Sequence, residues 1–187
     1  MPIFRDEQDY SHFLQLLERL LTPGTKKDRW RNQIHSLSDA VSVIAFALMP
    51  NHFHLIVHQR ANAHAVSKLM QRLCASYTKY FNRKYKRHGP LFEGRFHHRP
   101  LNTAQDIRNA IVYVHRNPVD PLRAGSFTSH ELFIAKRELR ESHWCRADLG
   151  LKLFRSRAHY LEHLHDAIMN RDRAQGVNAV APPHRRH

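Results

Sequence analysis

A chain of 187 residues with 42% hydrophobic residues suits one domain with a small appendage and can build a packed core. Its 30 Lys and Arg against 16 Asp and Glu leave a net charge of +14, which points to a polyanionic partner, nucleic acid before a membrane surface. No run approaches the roughly 20 apolar residues of a spanning helix, early acids (Asp6, Glu7, Asp9, Glu18) exclude a secretory signal, and two distant cysteines, Cys74 and Cys145, exclude a disulfide scaffold. A cytoplasmic protein without a membrane partner is expected.

The first helix is predicted to begin near Asp6, with Asp9 adding negative charge to its first turn. Tyr10, Phe13, Leu14, Leu17 and Leu20 or Leu21 form its apolar face, and Thr22-Pro23-Gly24 stops it. A polar, basic loop follows through Lys26, Lys27, Arg29 and Arg31. Val41 to Met49 reads as a buried strand, Pro50-Asn51 as a turn, and His52 to His58 as a returning antiparallel strand. Ala65 to Lys84 reads as a long helix with Val66, Leu69, Met70, Leu73, Tyr77, Tyr80 and Phe81 on its core face. His88-Gly89-Pro90 breaks it. Leu91 to Arg99 is a third strand candidate with a bulge at Gly94. Thr103 and Asp106 have capping-box spacing, so a helix should start there and run to Pro118. Further helices are expected at about 129–141, 146–154 and 157–170, then a disordered basic tail over 171–187.

His52-Phe53-His54 is the most informative tripeptide. Alternate side chains of a strand share a face, so both imidazoles project to one side and suit one divalent ion. A strand with two half-exposed histidines is the plain alternative in a chain holding 17 His. Tyr113 and Asn117 lie four apart on one side of the later helix, with Tyr113 at the flank of its apolar stripe. A tyrosine that packs its ring and keeps its hydroxyl wet satisfies the same pattern. Lys68, Arg72, Lys79, Arg83 and Lys86 line a face of the long helix apart from its core face. With Arg95 and the interleaved Tyr85, Phe92 and Phe96 they suit phosphates and unstacked bases, or else a solvated face. His159-Tyr160-Leu161-Glu162-His163 matches the inverted zinc-protease signature H-x-x-E-H, against which stands an ordinary surface histidine pair.

Met49-Pro50-Asn51-His52-Phe53-His54-Leu55-Ile56-Val57 and Tyr113-Val114-His115-Arg116-Asn117-Pro118-Val119 together resemble the HUH-type single-tyrosine transposases, particularly those associated with repetitive extragenic palindromes. Gly89 to Phe96 looks like that family's strand before the tyrosine helix, and Ile3 to Asp6 like its early region. The resemblance covers roughly residues 3 to 125, with a weaker echo from Trp144 to Tyr160. It implies an α+β, RRM or ferredoxin-like antiparallel sheet with helices packed on one face. The expected division is a catalytic domain over 1–125, a helical extension over 126–170 and the tail.

It also implies that His52 and His54 hold Mg²⁺ or Mn²⁺, with Asn117 a candidate third ligand, and that the ion polarises the scissile phosphate. Tyr113 would attack phosphorus, leaving a 5′-phosphotyrosine and a free 3′-hydroxyl that can reverse the step. The implied partner is single-stranded or hairpin DNA in the bacterial nucleoid, met by a monomer or homodimer. Phenols ionise only at about pH 10, so the nucleophile needs an activating ion or cation. The family opens with a strand upstream of the Phe4 region, and here Met1 follows it. That strand would pair with the His52–His58 strand. Its loss predicts an open edge, covered by a segment such as 25–40 or prone to association. Two further functions compete: a DNA-binding relic of the same fold that no longer cleaves, and the zinc protease.

Overall fold

The longest apolar run of the sequence becomes the central strand. The computed structural model describes residues 1–27, 33–60, 64–118, 127–136 and 144–179, and of 25–27, 33–34 and 172–179 the backbone alone. The elements in chain order are α1 (Glu7–Leu21), β1 (Thr25–Lys27), β2 (Gln33–His35), β3 (Val41–Met49), β4 (His52–Gln59), α2 (Ala65–Lys84) and α3 (Ala104–Arg116). Then come α4 (His130–Ile134), α5 (Ala147–Leu151) and α6 (Arg157–Ala179). The fold is α+β with an antiparallel sheet, as expected.

β3 and β4 pair from Val41↔Gln59 to Met49↔His52 around the turn at Pro50-Asn51. A bulge between Val43 and Ala45 breaks the alternation of β3. Val43, Phe46 and Leu48 therefore join one core with α1 and α2, while Ile44, Ala45 and Ala47 join a second core. In the first core Phe13, Leu17, Leu69, Leu73, Tyr77 and Phe81 are all buried. The second contains Ile56 of β4 with Ile111 and Val114 of α3, Phe133, Phe154, and Tyr160 and Leu164 of α6. α1 and α2 thus lie on one face of the sheet, and α3 with the C-terminal helices closes the other.

The outer edge of β3 is occupied by residues far away in sequence. Leu48 N–H donates to Phe127 O (2.9 Å), Ser129 N–H to Phe46 O (3.0 Å) and Arg146 N–H to Val43 O (2.8 Å). Such pairing satisfies backbone groups that would otherwise be buried without partners. β4 pairs with β3 alone among the described residues.

Three expectations are corrected. Residues 91–99 form no strand: no described segment pairs with them, Gly94 sits at φ +76°, and 93–99 are solvent-exposed. The stretch 25–40 is not all loop, since β1 and β2 make a separate two-stranded sheet, and that sheet leaves the β4 edge alone. The last helix runs on to Ala179, where the tail was expected to begin at 171; residues 180–187 lie outside the described residues. Of the helix expected at 129–141, α4 covers His130–Ile134 and residues 137–140 are likewise outside them. The predicted α1, α2 and α3 boundaries agree with the structure, including the Thr103–Asp106 capping box.

Candidate active site

The strand alternation of β4 sorts its side chains. Phe53 turns into the α1–α2 core, against Phe13 (ring centroids 4.9 Å) and Phe92 (6.0 Å). His52 and His54 consequently share the opposite face, with centroids 4.9 Å apart and rings nearly perpendicular. The residue opposite His54 in the ladder is Ala47, whose small side chain leaves space for α3 to approach. The turn residue Asn51 accepts through Oδ1 from His52 Nδ1 at 2.8 Å. That bond places the ring proton on Nδ1 and turns the Nε2 lone pair outward, as a ligating imidazole requires. Burial, and then the neighbouring His52, lower the pKa of His54 and favour its neutral form.

α3 brings up the phenol. Its buried stripe is Ile111, Val112, Val114 and His115, and Tyr113 stands beside that stripe with 47% of its surface exposed. The Tyr113 ring meets His54 edge to face at 5.6 Å. On its other side the Arg116 guanidinium lies over the ring face at 5.4 Å, a cation–π contact that holds the phenol from that side. Asn117 caps α3, and its buried side-chain nitrogen has no hydrogen-bond partner among the described residues. A half-turn of this amide would put its oxygen where the partnerless nitrogen lies, so the side chain fits a ligand role. No group of three His, Cys, Asp or Glu able to hold a metal occurs among the described residues. An ion held by the two imidazoles would need oxygens from the Asn117 amide, water or a phosphate, a mixed donor set that Mn²⁺ accepts.

The basic stripe is not brought to this site. Lys68, Arg72, Lys79 and Arg83 ride on α2, across the sheet from the imidazoles, and Arg72 donates to His35 O at 3.0 Å. Lys86, at φ +50°, lies in the turn just past that helix, and Arg95 lies on the exposed connection leading round to α3. A strand of DNA touching both would have to follow that connection.

Sequence reasoning missed what supports the tyrosine helix. His115, fully buried, contacts Ser129 Oγ through Nε2 (2.7 Å) and the Tyr160 hydroxyl through Nδ1 (2.9 Å). Tyr160 in turn meets His130 Nδ1 at 2.6 Å, and Ser129 Oγ accepts from Phe46 N–H at 2.8 Å. One proton per link satisfies the whole chain of groups. Arg171 of α6 donates to the terminal carbonyl of Arg116 at 2.6 Å, capping α3 from outside. The only sequence signal was a histidine among the apolar positions of a helix. Asn51, His115 and Arg116 lie inside the two motifs that resemble the family, but their partners do not follow from spacing.

The model of a transposase family, described as IS200-like, matches residues 20–117 of the chain. Neither a curated protein nor a solved structure matches it. The match spans the hairpin with both histidines, α2, and α3 with Tyr113, and ends at Asn117. No helix among the described residues is long and apolar enough to cross a membrane.

Proposed function

This chain belongs to the transposase IS200-like family, and we propose that it cuts and rejoins single-stranded, hairpin-forming DNA through Tyr113. The observation that carries the reading is the accessible Tyr113 ring against His54, on the sheet face it shares with His52. The Tyr113 Oη attacks the scissile phosphorus as the bond from phosphorus to the 3′-oxygen breaks. The phenol proton leaves, the departing 3′-oxygen gains one, and the 5′-phosphate stays on the tyrosine. Reversal by a 3′-hydroxyl regenerates the phenol, so no ATP is consumed.

The protein's own groups divide the work. Arg116 holds the Tyr113 ring from one side, Asn51 fixes the His52 tautomer, and burial favours neutral His54. His52, His54 and the Asn117 amide would hold Mn²⁺ or Mg²⁺, which when bound supplies Lewis-acid stabilisation of phosphate charge. The cations of α2 and Arg95 would follow the backbone of the bound DNA on its way to the site.

The test is incubation with radiolabelled single-stranded hairpins and Mn²⁺, followed by denaturing electrophoresis. Wild-type protein should form a covalent adduct, and Tyr113→Phe should form none while binding the hairpin nearly as well. Adducts in the Phe variant would remove Tyr113 from its role. Binding by the wild type without any adduct would instead identify a non-cleaving relic.

A further inference from the structure

We propose that His159 and His163 on α6 form a second metal site, for a nitrogen-seeking late first-row ion such as Zn²⁺. The pair lies one helical turn apart, and the two Nε2 atoms approach to 3.1 Å with the rings perpendicular at 4.5 Å between centroids. Two nitrogens bound at the usual Zn–N length of about 2.05 Å sit about 3.3 Å apart at a tetrahedral angle and about 2.9 Å apart at a right angle. The observed separation falls between these values, so the spacing already suits an ion once each ring tilts its Nε2 lone pair off the line between the two nitrogens. Phe154 borders both imidazoles, at 6.2 and 6.1 Å, and backs the pair on its core side.

Protons account for the approach. Arg155 N–H donates to His159 Nδ1 at 3.3 Å, so the neutral ring carries its proton on Nε2 and donates it to His163 Nε2. An ion takes the place of that shared proton, which passes through solvent to His159 Nδ1. The ring stays neutral and gives up the Arg155 bond, which is long and solvent-exposed. No third His, Cys, Asp or Glu completes a set here among the described residues, so water fills the remaining positions. Here, unlike at His52 and His54, neither the Asn117 amide nor a scissile phosphate adds oxygen ligands, so Mg²⁺, which demands oxygens in near-octahedral order, is disfavoured. Tyr160, next to His159, touches His115 of α3, so an ion on this turn would stiffen the helix that supports Tyr113.

The test uses the full chain carrying His52→Ala and His54→Ala, so that the other histidine pair takes no ion. Zn²⁺ is titrated, with Mg²⁺ as control, while imidazole nitrogens are followed by long-range ¹H–¹⁵N spectroscopy and unfolding by heat. The His159 and His163 Nε2 resonances should move together, with the Nδ1 of His159 becoming protonated. The unfolding midpoint should rise by roughly 5–10 °C at a hundredfold excess over Kd. Both effects should vanish in His163→Gln, whose midpoint without Zn²⁺ reports that it folds; His159→Gln serves if it does not. Unmoved resonances, or a midpoint rise that survives in both Gln variants, would overturn the proposal.

Discussion

Acid should loosen the support of the tyrosine helix through His115. This ring is fully buried, and burial, followed by the nearby His130, lowers its pKa to about 3 in the folded chain. In the unfolded chain it returns to about 6.5. Between those values the unfolded state holds a proton that the native ring refuses, so stability falls as pH falls. The contribution is complete above about pH 6.5 and decays by about 1.4 kcal/mol per pH unit below it. Lowering the pH from 6.5 to 5 should therefore cost about 2 kcal/mol through this one group. His130, whose pKa burial also lowers despite the opposing Glu131, adds in the same direction. Replacing His115 by Gln keeps a polar side chain between Ser129 and Tyr160 and removes the titration. The assay is urea unfolding of both chains, followed by circular dichroism from pH 7.5 to 5. The variant should start less stable, because a buried network has been disturbed, yet lose less stability with acid. Equal slopes in the two chains would show that His115 takes up a proton in the native state as readily as in the unfolded one.

Asn51→Ala should weaken Mn²⁺ binding about 10- to 100-fold by releasing the His52 ring, as loss of an outer partner does in other metal sites; unchanged affinity in calorimetry would deny Asn51 that role. Lys79→Ala with Arg83→Ala should lower the slope of log K against log salt for a single strand by about 0.7 for each phosphate that is no longer neutralised. If neither slope nor affinity moves, that stretch of α2 is only a solvated face. Gly150→Ala should destabilise the chain by about 1–3 kcal/mol, because a Cβ there would stand 2.7 Å from Phe133 and 2.8 Å from Ile44. A variant as stable as wild type in denaturant would mean that α5 shifts off the sheet at little cost.

Local signals carried much of the fold. The Val41–Met49 run, the Pro50-Asn51 turn, the apolar phase of α2 and the capping box of α3 each hold their information within a few residues, and each appears as expected. The strand expected at 91–99 shows where this stops. Its aromatics and Gly94 resemble a bulged strand, but a strand exists only through a partner, and none is described beside it. The β3 edge shows the converse: Phe127, Ser129 and Arg146 lie in stretches of weak periodicity and still complete the sheet. The candidate site was legible to a similar depth. Strand alternation places His52 with His54, and helical spacing puts Tyr113 beside its stripe. The approach of Tyr113 to His54 is a distance between two elements, and no spacing within either one contains it.

Register is what joins the two motifs. Because strand side chains alternate, a slip of one residue in β4 would send His52 and His54 into the α1–α2 core and turn Phe53 out. Phe53, Leu55 and Val57 resist that slip by packing against the α1–α2 core, and the two-residue turn at Pro50-Asn51 fixes the hairpin from its tip. The opposite edge of β3 is held by Ser129, whose hydroxyl accepts from Phe46 N–H and also contacts His115 of α3. One buried side chain thus ties the histidine sheet to the tyrosine helix. It stands at position 129, beyond the 20–117 stretch that matches the family. The residues proposed for chemistry lie inside the match, and part of what sets the distance between them lies outside it.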